Sequence, residues 1–201
     1  MDAQQHFIVG ISGASGVVYG IRMLEVLRAA GFHTHLIMSR AAHLTLASET
    51  TLKPPDVESL AGTVHANSDI GSVCASGSFR MRGMVIAPCS VKTLAEIANA
   101  PGGTLMSRAA DVTLKERRRL VLMLRETPLH LGHIRHMAAV TEAGAIVYPP
   151  VPAFYTKPGS LEEMVDHTVG RVLDLFDIDA GLVHRWRGLK DSLRGPQGPG
   201  A

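Results

Sequence analysis

The chain has 201 residues, enough to bury one sizeable core, and its Lys and Arg number 20 against 18 Asp and Glu. So even a balance, with basic residues scattered along the chain, argues against nucleic acid or an anionic membrane as the main partner. Cys74 and Cys89 make neither a disulfide framework nor a metal-ligand set. No signal peptide precedes residue 7 and no apolar run approaches bilayer length, so a cytoplasmic enzyme or binding protein is expected.

The first predicted strand, Phe7-Ile8-Val9-Gly10-Ile11, runs into Ser12-Gly13-Ala14-Ser15-Gly16, and a helix is expected over 18–29, capped by Gly31. A strand, a tight glycine turn and a helix, in that order, form the first unit of an open α/β sheet. Such a turn aims backbone N–H groups and a helix N-terminus at one point, where an anion binds well. Ser12 and Ser15 add hydroxyls. The stretch is not the dinucleotide fingerprint, because Ser12 replaces its middle glycine, and no P-loop follows. A plain βα turn, whose glycines only relieve strain, is the simpler alternative.

A second strand is expected over 34–38, with Ser39 at its end and a helix over 40–49. Lys53-Pro54-Pro55 reads as a break. Residues 56–83 are less patterned, with a short helix near 57–60, a short strand over 63–66 and a Gly/Ser-rich loop. Met84 to Pro88 is a clear strand, followed by Cys89-Ser90 and a helix over 91–99. A helix over 107–116, a strand over 120–124, a helix over 131–143 and a strand over 145–148 complete the core. A proline-dense loop, 149–158, leads to an amphipathic helix over 161–176. The expected organisation is one domain, 1–187, and a flexible tail, 188–201, rich in Gly and Pro.

Alternating strands and helices predict a doubly wound, mostly parallel sheet, a flavodoxin-like or Rossmann-like three-layer sandwich. The carboxyl ends of its strands bring Ser12 to Ser15, Ser39, Ser90, Arg125, Glu126 and the loop before Tyr155 to one crevice. Small hydroxyls and an arginine suit a phosphorylated cofactor. No acid ends the second strand, where the ribose of NAD finds its usual partner, so FMN fits this inventory better. Cys89 at a strand end is expected to be buried and inert rather than a nucleophile. His130, His133 and His136 share a three-residue spacing but lack a closing ligand, and no HExxH is present. No metal is expected.

Seven segments in register carry a resemblance: Gly10 to Gly16, Met38-Ser39-Arg40-Ala41-Ala42, Pro88-Cys89-Ser90, Arg108-Ala109-Ala110-Asp111, Leu114-Lys115-Glu116-Arg117-Arg118, Arg125-Glu126-Thr127-Pro128 and Pro152-Ala153-Phe154-Tyr155. Together, over residues 6–187, the chain closely resembles the flavin prenyltransferases of the UbiX family. The resemblance implies transfer of a dimethylallyl group from dimethylallyl monophosphate to reduced FMN, giving prenylated FMN for a UbiD-type decarboxylase. That product serves ubiquinone synthesis or aromatic-acid decarboxylation. It also implies a homo-oligomer, usually a dodecamer, and no metal. A flavin-dependent decarboxylase of the same superfamily and a flavin carrier without turnover are the alternatives.

By position, the resemblance assigns Gly13, Ala14, Ser15, Ser39, Ser90, Val91, Lys92, Thr93 and Arg125 to FMN. It assigns Tyr155 and Arg171 to the prenyl phosphate, with Arg171 at a subunit junction, and Trp186 to the neighbourhood of the site. Ser15, Glu49, Arg108, Lys115 and Glu126 are implied around the reaction centre, with Lys115 and Glu126 also on the substrate. Glu126 is assigned to phosphate handling and Glu49 to protons on the flavin side. The plainer alternatives are surface ion pairs for Lys115 and Arg171, a helix end for Glu49 and a C-terminal anchor for Trp186. The chain departs from some members in the loop Asn67-Ser68-Asp69-Ile70-Gly71, which lacks their tryptophan.

Overall fold

The computed structural model describes residues 5–100, 102–186 and 188, so the expected tail lies, apart from Gly188, outside the described residues. Six strands, β1 (His6–Ile11), β2 (His33–Met38), β3 (Thr63–Ala66), β4 (Gly83–Cys89), β5 (Arg119–Leu124) and β6 (Ile146–Val147), form one parallel sheet. The strand order is β3-β2-β1-β4-β5-β6. The apolar runs of β1, β2, β4 and β5 follow from this arrangement, because a parallel sheet covered on both faces must be apolar on both. All seven residues of β4 are buried.

Seven helices cover the faces: α1 (Val17–Ala29), α2 (Arg40–Glu49), α3 (Pro54–Glu58), α4 (Val91–Asn99), α5 (Leu105–Lys115), α6 (Leu131–Glu142) and α7 (Leu161–Asp174). Phe7, Val9, Ile11, Leu36, Val85 and Val121 pack with α1, α2, α3 and α7 on one side. Ile8, Ile37, Met84, Ile86, Leu120 and Leu122 pack with α4, α5 and α6 on the other. This is the expected doubly wound three-layer sandwich. The order reverses between β1 and β4, and the chains leaving their carboxyl ends run to opposite faces of the sheet, so that a crevice forms there.

Where boundaries differ from expectation, local hydrogen bonds explain them. Lys53-Pro54-Pro55 starts α3 instead of breaking the chain, because proline suits the first helical turn and the Asp56 carboxylate accepts the Lys53 N–H at 2.7 Å. Helix α5 begins two residues early, at Leu105. Asn67 accepts the N–H of Leu105 through its backbone oxygen at 2.8 Å and that of Met106 through Oδ1 at 2.9 Å, serving two groups that a helix start leaves unpaired. Helix α7 ends at Asp174 rather than 176, and β6 keeps only two of its four expected residues.

Candidate active site

The crevice at the strand reversal is a cavity of about 760 Å³, within the ~300–1,000 Å³ usual for small-molecule and cofactor sites. Gly13, Ala14, Ser15, Ser39, Ser90, Val91, Lys92, Thr93, Arg125 and Glu126 all line it. Every residue that the resemblance assigned to FMN is therefore on one wall or another of a single cavity. Three helices, α2, α4 and α5, have their N-terminal residues on its wall. Ser39 caps α2, its Oγ accepting the Ala42 N–H at 3.1 Å, and Ser90 caps α4, accepting the Thr93 N–H at 3.2 Å. The Ser90 hydroxyl donates onward to Thr93 Oγ1 at 3.1 Å. Partial positive charge at these helix ends and the hydroxyls around them make a donor set suited to a phosphate.

The turn after β1 is held by close packing. A Cβ on Gly13 would stand 2.2 Å from Ala41 Cβ, so only glycine lets the turn lie against the start of α2. Gly16 has φ 98°, a left-handed conformation that reverses the chain into α1. Ser12 departs from its expected part: it is 1% exposed, donates to the Pro88 carbonyl at 2.9 Å and accepts the Ser90 N–H at 2.7 Å. It ties the β1 turn to the β4 turn and does not line the cavity.

Glu49, the last residue of α2, reaches across to the start of α1. Its carboxylate accepts the N–H of Gly16 at 2.9 Å and of Val17 at 3.1 Å, and it is hydrogen-bonded by Ser15. Burial pushes this carboxyl up, but the bonds from Ser15, Gly16 and Val17 and the charge of Arg125 together hold it below the usual carboxylate value. Arg125 Nε donates to the Ser15 carbonyl at 3.1 Å. Ser15, Glu49 and Arg125, far apart in the chain, thus form one connected group. Glu126 also sits on the cavity wall, its Oε1 accepting the Thr127 N–H at 3.0 Å.

Tyr155, Arg171 and Trp186 form a neighbouring group. The Tyr155 ring meets Trp186 and His167 edge-on, at centroid distances of 5.5 and 5.9 Å, and Arg171 pairs with Asp174 at 2.7 Å. Tyr19 and Tyr148 join this group to the cavity. Burial raises the Tyr19 phenol, and Arg125 opposes that rise. Burial likewise raises Tyr148, opposed by Arg171 and reinforced by Tyr155, Asp174 and Tyr19. Sequence reasoning passed over both tyrosines, although the low aromatic content of 4% was a signal.

Arg108 and Lys115 are not among the residues lining the cavity. Arg108 pairs with Asp111 at 2.7 Å, and Lys115 pairs with Glu116 at the far end of α5. The start of that helix, at Thr104 and Met106, lines the cavity, so its eleven residues carry Lys115 about 15 Å away at ~1.5 Å each. A single chain does not bring Lys115 to Ser15. Cys89 is fully buried, and burial pushes its thiol far up, in keeping with an inert core position. The His130 and His133 rings lie tilted with centroids 3.6 Å apart, and neither they nor His136 belong to a three-ligand cluster among the described residues.

The fold and cavity define a flavoprotein, and the family model described as Flavoprotein matches residues 1–185. The flavin prenyltransferase UbiX of Thauera aromatica is 55% identical over 181 residues, covering 90% of this chain and 93% of that protein. The flavin prenyltransferase UbiX of Escherichia coli K12 is 52% identical over 187 residues, 92% and 99% of the two chains. A crystal structure of AnUbiX in complex with FMN and dimethylallyl pyrophosphate superposes with a TM-score of 0.91 at 50% identity, covering 92% of this chain and 99% of that one. A dodecameric FMN-dependent UbiX-like decarboxylase from Escherichia coli O157:H7 gives 0.89 at 43% identity, over 91% and 100%. The chain belongs to the UbiX family of flavin prenyltransferases.

Proposed function

We propose that this chain transfers a dimethylallyl group from dimethylallyl monophosphate to reduced FMN, releasing phosphate and prenylated FMN. The observation that carries the reading is the convergence of three helix N-termini, Ser15, Ser39, Ser90, Thr93 and Arg125 on one cavity at the strand reversal. This donor set fits the FMN phosphate, and Ser39 stands where a dinucleotide site would carry an acid. A flavin-dependent decarboxylase or a flavin carrier is less favoured, given relatives of 50–55% identity named for prenyl transfer.

Reduced FMN, when bound, supplies the electron-rich N5 and C6 to which the dimethylallyl carbons bond. The protein's share is to position, to neutralise and to move protons. Gly13, Ala14, Ser15, Ser39, Ser90, Val91, Lys92, Thr93 and Arg125 hold the flavin. Glu49, kept ionised by the hydrogen bonds that lower its pKa, accepts a proton through the Ser15 hydroxyl that is bonded to it. Glu126 handles the leaving phosphate. Tyr155 donates a hydrogen bond to the donor phosphate, and Arg171 neutralises its growing charge. Trp186, packed on Tyr155, orders that side of the site.

Arg108 and Lys115 serve a cavity of a neighbouring copy in a homo-oligomer, in this reading. Two features support assembly. Lys115 is remote from its own chain's cavity, and Val151, Phe154 and Leu161, beside Tyr155, are 73–75% exposed despite being apolar. A dodecamer fits the assembly of the E. coli O157:H7 relative. The product passes to a UbiD-type decarboxylase. No described helix is long and apolar enough to cross a membrane, and cytoplasmic placement is part of the proposal.

Anaerobic incubation with reduced FMN and dimethylallyl monophosphate, or separately the diphosphate, tests the reading. Phosphate release with a flavin mass gain of one five-carbon unit supports it, and the monophosphate is the expected better donor. Bound flavin with no adduct from either donor would overturn it.

A further inference from the structure

Across the face of the sheet that packs against α4, α5 and α6, four histidines form a row that begins at the end of β1 remote from the cavity, with His6, and crosses to His65 on β3. Side chains two residues apart on a strand share a face, so His33 and His35 of β2 project together. In the parallel register His6 of β1 lies opposite His33, and His65 of β3 lies opposite Ile37. Each of His6, His33 and His35 offers one ring nitrogen, and the three lie within 4.8 Å of one another. His6 Nδ1 and His35 Nε2 face each other at 3.0 Å. Two nitrogens on one tetrahedral ion at 2.0–2.1 Å stand roughly 3.3 Å apart, so a small turn of the half-exposed His6 ring makes the fit.

We infer that His6, His33 and His35 form a binding site for a divalent transition-metal ion of the zinc class, separate from the flavin cavity. The His35 ring is already held from behind: its Nδ1 pairs with His65 Nε2 at 2.9 Å, and His65 Nδ1 pairs with Ser72 Oγ at 2.8 Å. His33 Nε2 pairs with Thr63 Oγ1 at 2.8 Å, a bond that His33 exchanges for the ion where it ligates through that nitrogen. Outer partners of this kind fix the tautomer and the ring orientation of a ligating histidine. When an ion takes His35 Nε2, the ring proton sits on Nδ1 and is donated to His65 Nε2. The His65 proton then sits on its Nδ1 and is donated to Ser72 Oγ. The neutral imidazoles bind by a change of tautomer along this row, with no proton lost.

His35 is 4% exposed, whereas His6 and His33 are half-buried, which leaves the ion an approach and an open position. His35, His65 and Cys74 form a second three-residue group. It is the poorer site, because Cys74 is 1% exposed and leaves an ion no approach from that side. Imidazole donors without thiolate or carboxylate suit Zn²⁺, Cu²⁺ or Ni²⁺ rather than Mg²⁺ or Ca²⁺. His35, the ligand nearest the cavity along the strands, lies opposite Ile8, three residues or ~10 Å short of the end of β1 at Ile11 at ~3.3 Å per residue, so the ion and the flavin do not compete.

Full-length protein without a polyhistidine tag, treated with chelator and dialysed, is titrated with Zn²⁺ by calorimetry and with Co²⁺ by visible absorption. One ion per chain, tetrahedral Co²⁺ bands and a melting temperature that rises with Zn²⁺ are expected. His6→Gln and His33→Gln, both at half-buried positions, should each weaken binding at least tenfold. His65→Gln should weaken it roughly tenfold through the loss of ring orientation. The double variant His130→Gln/His133→Gln should bind as the unaltered protein does. Absence of a stoichiometric ion, or unchanged affinity in the folded His6→Gln/His33→Gln double variant, would overturn the site.

Discussion

The Glu49 carboxylate accepts the Gly16 N–H at 2.9 Å, joining the last residue of α2 to the turn that opens α1. Thirty-three residues separate the two in the chain. The contact gives Glu49 two duties, since the same carboxylate caps α1 and is bonded to Ser15 on the cavity wall.

Glu49→Gln keeps an acceptor but removes the charge at the start of α1. It should lower stability by about 0.3–1 kcal/mol near neutral pH, the usual range for a charge at a helix end. Because the folded carboxyl is held below its ordinary value of 4.5, its stabilisation is full above that value and is lost as pH falls through the lowered one. Urea unfolding of both proteins at pH 7 and below pH 4 should show the gap closing on the acid side. Prenyl transfer should slow at least tenfold with flavin still bound.

Ser90→Ala removes the cap of α4 together with its hydroxyl link to Thr93. A loss of about 1 kcal/mol in stability is expected. FMN affinity, read by fluorescence quenching, should fall several-fold, because the same helix end lines the cavity proposed to hold the flavin.

Gly13→Ala places a methyl 2.2 Å from the Ala41 Cβ, so the turn and the start of α2 must move apart. The expected cost is roughly 1–3 kcal/mol of overpacking strain. Calorimetric melting and a flavin titration should fall together, since the displaced turn is also the cavity wall.

Lys115→Met and Arg125→Met should each be nearly inactive, Lys115→Met with FMN retained and Arg125→Met with FMN weakened. If Lys115 serves a neighbouring copy, unfolding and co-refolding the two variants should regain part of the activity. Mixed oligomers would then contain some intact sites. No recovery in mixed oligomers of verified composition would place Lys115 outside the reaction.

Cys89→Ser should leave prenyl transfer within about twofold of the parent. The folded protein should resist alkylation at Cys89, because the thiol is fully buried and its ionisation is suppressed. Mass spectrometry after timed exposure to iodoacetamide reads this directly.

Much of this molecule is readable in the chain alone. Phe7 to Ile11 and Met84 to Cys89 are apolar without alternation because both faces are covered, and that pattern fixes parallel strands before any contact is known. The carboxyl ends of such strands meet in any doubly wound sheet, so Ser15, Ser39, Ser90 and Arg125 are found together as sequence implies. Ser12 shows where the reading stops. A hydroxyl in a glycine turn has the same local signature whether it faces the cavity or, as here, ties two turns together.

What only the tertiary structure decided is which distant side chains touch. The Glu49 contact with Gly16 depends on how α2 leans over α1, and Lys115 is taken from the cavity by the direction of α5. The histidine row had a legible half, since His33 and His35 must share a face of β2. Its other half came from strand register, which places His6 beside His33 and carries His65 within 2.9 Å of His35. Local pattern is governed by the backbone repeat of each element, and so it is written in neighbouring residues. Register and helix lean arise from packing the whole core, and no short stretch of sequence contains them.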